Sequence, residues 1–213
     1  MEKGDFIRID YVGRIKDTRE IFDLTNEEVA KNEKIFNPDV KYKPVPIIVG
    51  EKFVIKGLDE ELLKMSVGEK KTITVEPENA FGERNPKLVK VFPVAFFKKQ
   101  KINPASGLIV NMSGVKGRVQ SCNSGRVRVD FNNPLAGKSI EYEVEVKEKI
   151  DNQTEQIKSL FEFFGMDVKV DIKDNIAEIE MKKSIPNQLK EKISSLITKY
   201  VKGCEKVKFI EVY

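Results

Sequence analysis

A chain of 213 residues with 40% hydrophobic and 34% charged residues is long enough for one large or two to three small folded domains. No apolar run approaches the roughly 18 residues needed to span a bilayer, and the N-terminus lacks the apolar core of a signal peptide, so we expect a cytoplasmic protein. The chain has no His and two widely separated Cys, which excludes zinc sites and His-based catalytic triads. A carboxylate metal site stays open, although no EF-hand spacing is present, and we expect neither a metal nor a cofactor.

The charge balance argues against a dedicated nucleic-acid binder. The net charge is +4, from 38 Lys and Arg against 34 Asp and Glu, and the two signs are interspersed along the chain. This pattern is typical of a solvated surface rather than a basic stripe, so we expect no nucleic-acid and no membrane partner. Abundant Lys and Glu without His or Trp favours a thermophilic source.

The N-terminal part of the chain predicts short strands. Residues 5–15 alternate in strand fashion, and residues 19–24 continue as a second short strand. Residues 25–44 are polar and contain two prolines, which predicts a long excursion with one helical turn near its start. Residues 45–50 predict a third strand that ends at Gly50.

One short helix is expected next. Leu58, Leu62 and Met65 recur with helical spacing after Gly57, and Gly68 ends the pattern. A strand follows over residues 70–77 and runs into a charged, turn-rich segment that carries Phe81.

The middle of the chain reads as a small β-rich module. Residues 84–129 hold short apolar bursts separated by Gly, Asn, Ser and Pro, which indicates several short strands with close turns. Residues 132–137 form a turn, and residues 139–149 then alternate cleanly, as expected for a half-buried strand.

The last third predicts an α-β-β-α-β order. A helix capped by Asn152 ends at Gly165, a hairpin follows over residues 168–181, and a second helix opens near Pro186. A strand over residues 206–213 completes a small sandwich with helices on one sheet face. The chain ends directly after this strand, which leaves open whether the natural protein continues.

No nucleophile–base pair or phosphate loop is visible in the sequence. What remains is a set of apolar and aromatic residues next to one acid, each of which alone is more readily a core residue than a site residue: Tyr11, Phe22, Asp23, Ile47, Val54, Ile55, Leu58, Phe81 and Tyr142.

Several short motifs, most of which include residues of this set, occur in a specific order along the chain. They are a Tyr in the first strand (Tyr11), Phe22-Asp23, Val54-Ile55-Lys56-Gly57, Met65-Ser66-Val67-Gly68-Glu69 and Ala80-Phe81-Gly82. In order and spacing these motifs resemble the FKBP-type peptidyl-prolyl isomerases.

The segment inserted after Gly82 indicates which branch of the family the chain resembles. The insertion and the return through residues 129–146 are similar to the SlyD-like branch, which has an inserted-in-flap domain. The chain as a whole resembles the long archaeal FKBPs, which have a further C-terminal domain. The resemblance implies an α+β fold in three parts. These are an FKBP antiparallel sheet wrapped on a short helix (residues 1–83 and 130–150), a β-rich inserted chaperone domain (84–129) and a C-terminal α+β domain (151–213).

The resemblance also implies an apolar proline pocket, which favours the twisted amide over the planar one and needs no nucleophile. By position it would be lined by Tyr11, Phe22, Asp23, Val54, Ile55, Leu58, Phe81 and Tyr142, with Leu135 at the rim. The Ile55 N–H would bond a substrate carbonyl, and Asp23 would sit at the pocket edge beside Tyr11. Phe81 replaces the family's usual Tyr, whose hydroxyl donates a hydrogen bond to the ligand, so we expect lowered rather than abolished activity. Leu58 replaces the Trp of some members and keeps the pocket apolar.

Apolar residues of the inserted module have two readings. They either form its core or stay exposed to hold unfolded chains that contain X-Pro bonds, as the resemblance implies. The expected client-binding residues are Leu88, Val91, Phe92, Phe96, Phe97, Ile109 and Met112. A non-catalytic holdase or assembly adaptor and a ribosome- or RNA-associated factor are the alternative functions, and a homodimer through the C-terminal domain stays open.

Overall fold

The computed structural model describes residues 1–212, which fall into two compact units: residues 1–75 with 140–212, and residues 76–139. Tyr213, the last residue of the predicted final strand, lies outside the described residues. The three-part division inferred from the sequence stays a prediction. In the structure, residues 151–212 belong to the same compact unit as the first strands.

The described residues form short strands and short helices. The strands are β1 (Phe6–Ile15), β2 (Ile21–Leu24), β3 (Val45–Ile48), β4 (Lys70–Val75), β5 (Val89–Pro93), β6 (Ile109–Met112), β7 (Val115–Asn123), β8 (Arg126–Asp130), β9 (Ile140–Lys149), β10 (Val168–Lys173), β11 (Ile176–Met181) and β12 (Lys206–Glu211). The helices are α1 (Glu27–Asn32), α2 (Lys56–Leu62), α3 (Val94–Lys99), α4 (Gln153–Phe163) and α5 (Asn187–Tyr200).

The first unit is built on a five-stranded antiparallel sheet in the order β2-β1-β9-β4, with β3 also pairing with β1. Ile7 and Ile9 of β1 point to the face that carries the buried Val146 and Ile47 of the neighbouring strands. Helix α2 contacts β4, and its predicted apolar stripe is buried, since Leu58, Leu62 and Met65 are each at most 1% exposed. The apolar residues that repeat every second position in the strands and about every 3.6 positions in the helix are therefore buried in one core.

The C-terminal residues pack against the same sheet. Phe6 and Ile48 belong to a buried cluster with Ile157, Phe161 and Ile193 from helices α4 and α5. Strands β10, β11 and β12 form a three-stranded sheet in which β12 runs parallel to β11 after the α5 crossover.

The predicted termini in this segment are confirmed by specific bonds. The Asn152 side chain accepts a hydrogen bond from the Glu155 N–H at 3.0 Å, which caps α4. The β10–β11 turn places Asp174 and Asn175 at φ 48° and 62°, the left-handed pair of a two-residue hairpin turn.

The second unit is a four-stranded antiparallel sheet, ordered β5-β8-β7-β6, with helix α3 on one face. Val110, Val119, Val127 and Val129 form its core together with Phe97, which reaches in from α3.

Helix α3 was expected to be part of an apolar strand burst, and that prediction was wrong. Pro93 ends the edge strand and leads into the helix, where Val94 and Phe97 lie one turn apart on the face that covers the sheet.

The α+β class with antiparallel sheets is confirmed. No helix within residues 1–212 has the length and apolar character needed to cross a membrane.

Candidate functional site

Three aromatic side chains come together where β1, β2 and β9 pair in the first unit. The Tyr142 ring is 5% exposed and makes edge contacts with Tyr11 at 5.7 Å and with Phe22 at 5.9 Å between ring centroids. The strand register brings Tyr11, Asp23 and Tyr142 to one face, since Gly13, two residues after Tyr11, pairs with Asp23 on one side and with Tyr142 on the other. The β1–β2 register shifts directly after Gly13, at the point where Phe22 joins them. We call Tyr11, Phe22, Asp23 and Tyr142 the aromatic cluster.

One acid is tied into the aromatic cluster. The Tyr11 hydroxyl donates to Asp23 Oδ2 at 2.8 Å. Burial is the main cause that raises the pKa of Tyr11 well above its usual value, and the negative charge and hydrogen bond of Asp23 raise that pKa further. The pKa of Tyr142 is raised too, by burial and then by the charge of Asp23. Both phenols of the cluster therefore stay neutral well into the alkaline range, and the hydrogen bond to Asp23 orients the Tyr11 hydroxyl.

Gly13 is a site residue that the sequence reasoning missed. A Cβ at this position would lie 2.7 Å from Cζ of Phe22 and 3.0 Å from Cε1 of Tyr142. Glycine inside a strand pattern marks a close approach, and here it lets two rings of the cluster pack over the strand backbone. In the sequence, the signal for this role is a glycine inside the alternating pattern of the first strand.

The second predicted group, Val54, Ile55 and Leu58, lies on the loop into α2 and on that helix. Val54 and Ile55 are half-buried and Leu58 is 1% exposed. The Ile55 carbonyl accepts from the N–H groups of Leu58 and Asp59, whereas the Ile55 N–H donates to no acceptor within residues 1–212. That amide is therefore available to a ligand carbonyl.

Asp59, which the sequence reasoning also missed, holds this loop in place. Its side chain is 6% exposed and accepts hydrogen bonds from the N–H of Gly50 at 2.8 Å and of Lys52 at 3.1 Å. A carboxylate in the first turn of α2 thus fixes the segment that presents Val54 and Ile55. The sequence signal was an acid directly after the buried Leu58.

Phe81 lies in the second unit. It is half-buried and follows a 3₁₀ turn at Pro77–Asn79, and the Gly82 N–H bonds the Pro77 carbonyl at 2.8 Å. Its assignment to the proline pocket stays a prediction. Within residues 1–212, no three Cys, Asp or Glu side chains group as metal ligands.

The predicted client-binding residues do not form one patch. Val91 and Ile109 are 59% and 57% exposed, and Leu88 and Phe96 are each 40% exposed. Phe92 and Met112 are half-buried against the core of the second unit. Phe97 is 1% exposed and belongs to that core, because it is the α3 side chain that fills the space over the sheet valines, so it presents no surface to a client.

The raised pKa of Tyr11 predicts a late-ionising phenol. In an absorbance titration, Tyr11→Phe should remove a tyrosine that ionises well above pH 10, since burial disfavours its charged form. Asp23→Asn should bring the Tyr11 pKa down yet leave it above the ordinary value, because burial is the larger cause. A titration curve that Tyr11→Phe leaves unchanged would contradict this assignment.

The same shift has a consequence for stability. The folded protein holds the Tyr11 proton more tightly than the unfolded chain does, so this contribution is complete below about pH 10 and is lost as the pH rises further. We expect the free energy of unfolding to fall in that alkaline range, and to fall less steeply in Tyr11→Phe.

Comparisons with known proteins show which family the chain is similar to. Residues 1–109 match the family model for FKBP-type peptidyl-prolyl cis-trans isomerase, and residues 90–135 match the model for the IF domain of FKBP26. A short-type peptidyl-prolyl cis-trans isomerase of Methanocaldococcus jannaschii is 33% identical over 148 residues, covering 70% of this chain and 93% of that protein.

Two bacterial relatives extend the likeness. The FKBP-type 16 kDa peptidyl-prolyl cis-trans isomerase of Escherichia coli K12 is 32% identical over 50% of this chain and 74% of its own length. SlyD of Aeromonas hydrophila is 27% identical over 54% of this chain and 55% of its own length. Because a family model covers half of the sequence and a relative is aligned over nearly its whole length, the chain belongs to the FKBP-type peptidyl-prolyl cis-trans isomerase family.

Proposed function

We propose that the aromatic cluster binds the proline of an X-Pro bond, and that the second unit holds the unfolded chain that carries it. The observation that carries the first part is the Tyr11–Asp23 hydrogen bond within a cluster of three rings over Gly13. The aromatic cluster combines an apolar surface for the pyrrolidine ring with one oriented polar group, as small-molecule sites commonly do.

Catalysis then follows from preferential binding of the twisted amide. Rotation about the X-Pro bond breaks amide resonance, and the planar amide is the more polar of the two states. An apolar surface removes water from the planar ground state and so lowers the relative free energy of the twisted state. The Ile55 N–H, which donates to no acceptor within residues 1–212, would bond a substrate carbonyl and so fix the chain on one side of the rotating bond.

The proposed holding role rests on exposed apolar side chains of the second unit. Val91, Ile109, Leu88 and Phe96 are each at least 40% exposed, and exposed large apolar side chains are the groups that an unfolded chain can contact. Because both units belong to one chain, a client held by the second is kept at a high effective concentration for the pocket. We place this activity in the cytoplasm, with unfolded or partly folded polypeptides as partners.

A homodimer through the C-terminal residues is a further proposal. Strand β10 pairs only with β11 among the described residues, which leaves one edge of the three-stranded sheet open.

Two substrates that differ in size test the holding role. We expect Val91→Ser/Ile109→Ser to slow the proline-limited refolding of a protein about five- to tenfold, since two apolar contacts are lost, and to leave a tetrapeptide substrate unaffected. Val67→Ser, at a 52% exposed valine of the first unit, serves as the control and should change neither rate. Equal losses on both substrates, or no loss on either, would rule out a separate client-holding surface.

A further inference from the structure

The second unit is much more basic than the whole chain. Residues 76–139 hold 11 Lys and Arg against 4 Asp and Glu, while the rest of the chain holds 27 against 30. The mild overall charge of +4 thus hides a strong local excess. A surface with such an excess attracts anionic partners at a distance.

Part of this charge surrounds a cleft of the second unit. The cleft has a volume of about 880 Å³, and its lining includes Arg84, Ile109, Lys116, Arg118, Asp130 and Lys138. We call these residues the basic cleft.

The sheet register shows which face the basic cleft occupies. Ile109 pairs with Arg118, and Arg118 pairs with Asp130, so these three side chains share one face of the sheet. The alternate positions Val110, Val119 and Val129 fill the core on the opposite face. The basic cleft therefore opens on the sheet face that α3 leaves uncovered.

The single acid of the lining is already satisfied. Asp130 pairs with Arg84, accepts from the Gln120 amide at 3.2 Å and accepts from the Asn132 N–H at 2.9 Å. Burial alone would raise its pKa, yet the hydrogen bonds from Asn132 and the charge of Arg84 hold that pKa below the ordinary value. Lys116, Arg118 and Lys138 form no ion pair with any of residues 1–212, so their charges are not compensated.

We propose that the basic cleft selects extended client segments that carry carboxylates at alternating positions, an inference that rests on the proposed holding function. Lys116 and Arg118 stand two residues apart on β7, about 6.6 Å along the strand. Side chains at positions i and i+2 of an extended peptide lie on one face and repeat at the same spacing, so two acidic residues at alternating positions can face the two cations.

A nucleic acid fits this cleft less well. Proteins that bind single strands combine basic grooves with aromatic side chains on which the bases stack. The described lining of the basic cleft contains no aromatic residue. An acidic, extended polypeptide matches both its charge and its aliphatic character.

Binding of matched peptides to the full chain tests the proposal. Three labelled, unstructured peptides share the same apolar residues and carry Glu, Gln or Lys at the alternating positions. In fluorescence anisotropy at low ionic strength, the Glu peptide should bind about tenfold more tightly than the Gln peptide, and raised salt should narrow the difference. Lys116→Glu/Arg118→Glu should abolish this preference, with Lys116→Gln/Arg118→Gln as a milder second variant should the first fail to fold.

The control variant is Lys98→Glu/Lys99→Glu, which makes the same change of charge on α3, outside the cleft lining. It should keep most of the preference. Equal binding of the Glu and Gln peptides would overturn the charge selection while leaving client holding intact. Failure of every peptide to bind would overturn both, and tighter binding of a single-stranded RNA than of the Glu peptide would assign the basic cleft to nucleic acid instead.

Discussion

Phe22→Ala is expected to lower kcat/KM for a short proline peptide by about ten- to hundredfold. The Phe22 ring contacts Tyr142 edge-on and lies over Gly13, so its removal takes away one wall of the aromatic cluster and admits water. Burial of one such ring against a ligand is worth roughly 1.5–3 kcal/mol, which sets the size of the loss. The fold should survive, because Phe22 is only half-buried.

The measurement is the isomerisation rate of a tetrapeptide, together with urea unfolding of each variant. Phe36→Ala is the matched control, since Phe36 is an aromatic residue of the same unit that is 42% exposed and stacks on Tyr42. Its isomerisation rate should match that of the unchanged protein. A Phe22→Ala rate within twofold of that rate would remove Phe22 from the proposed pocket.

The first unit could be predicted well because its local signals agree with its tertiary contacts. The alternation in β1 and β9, the stripe of α2 and the caps of α4 each correspond to a buried face or a hydrogen bond in the structure. When every level favours the same structure, single-sequence reasoning has enough information.

The missed elements all depend on distant partners. Helix α3 has an apolar run that fits a strand equally well, and only the sheet beneath it decides in favour of the helix. For the same reason Phe97 was expected on the surface, although it fills the core of its unit. The charge of the second unit was missed because an average over the chain conceals a local excess.

The way in which the residues of the aromatic cluster come together was also beyond the sequence. Tyr11, Phe22, Asp23 and Tyr142 were found through motifs, and the structure then supplied their juxtaposition through strand register. The role of Gly13 is visible only from the rings that occupy its missing side-chain volume.

Gly13→Ala is therefore expected to lower kcat/KM by about tenfold or more, although it adds a single methyl group. That methyl group would lie 2.7 Å from one ring carbon of Phe22 and 3.0 Å from one of Tyr142, so at least one ring must move. A shift of this size misplaces the pocket wall, and overpacking costs about 1–3 kcal/mol of stability. Gly13 does not have a positive φ, so the effect comes from the contact rather than from the backbone.

Gly117→Ala separates a loss of stability from a loss of activity. Its added methyl group would lie 2.7 Å from Val129 and 2.8 Å from Phe131, a comparable clash within the second unit. We expect that variant to be destabilised while it isomerises a tetrapeptide at the unchanged rate.

The double variant Gly13→Ala/Phe22→Ala gives the sharper test, because removal of the Phe22 ring also removes the nearest obstacle to the new methyl group. Its activity should fall little below that of Phe22→Ala alone, whereas fully additive losses would show that Gly13 does not act through Phe22.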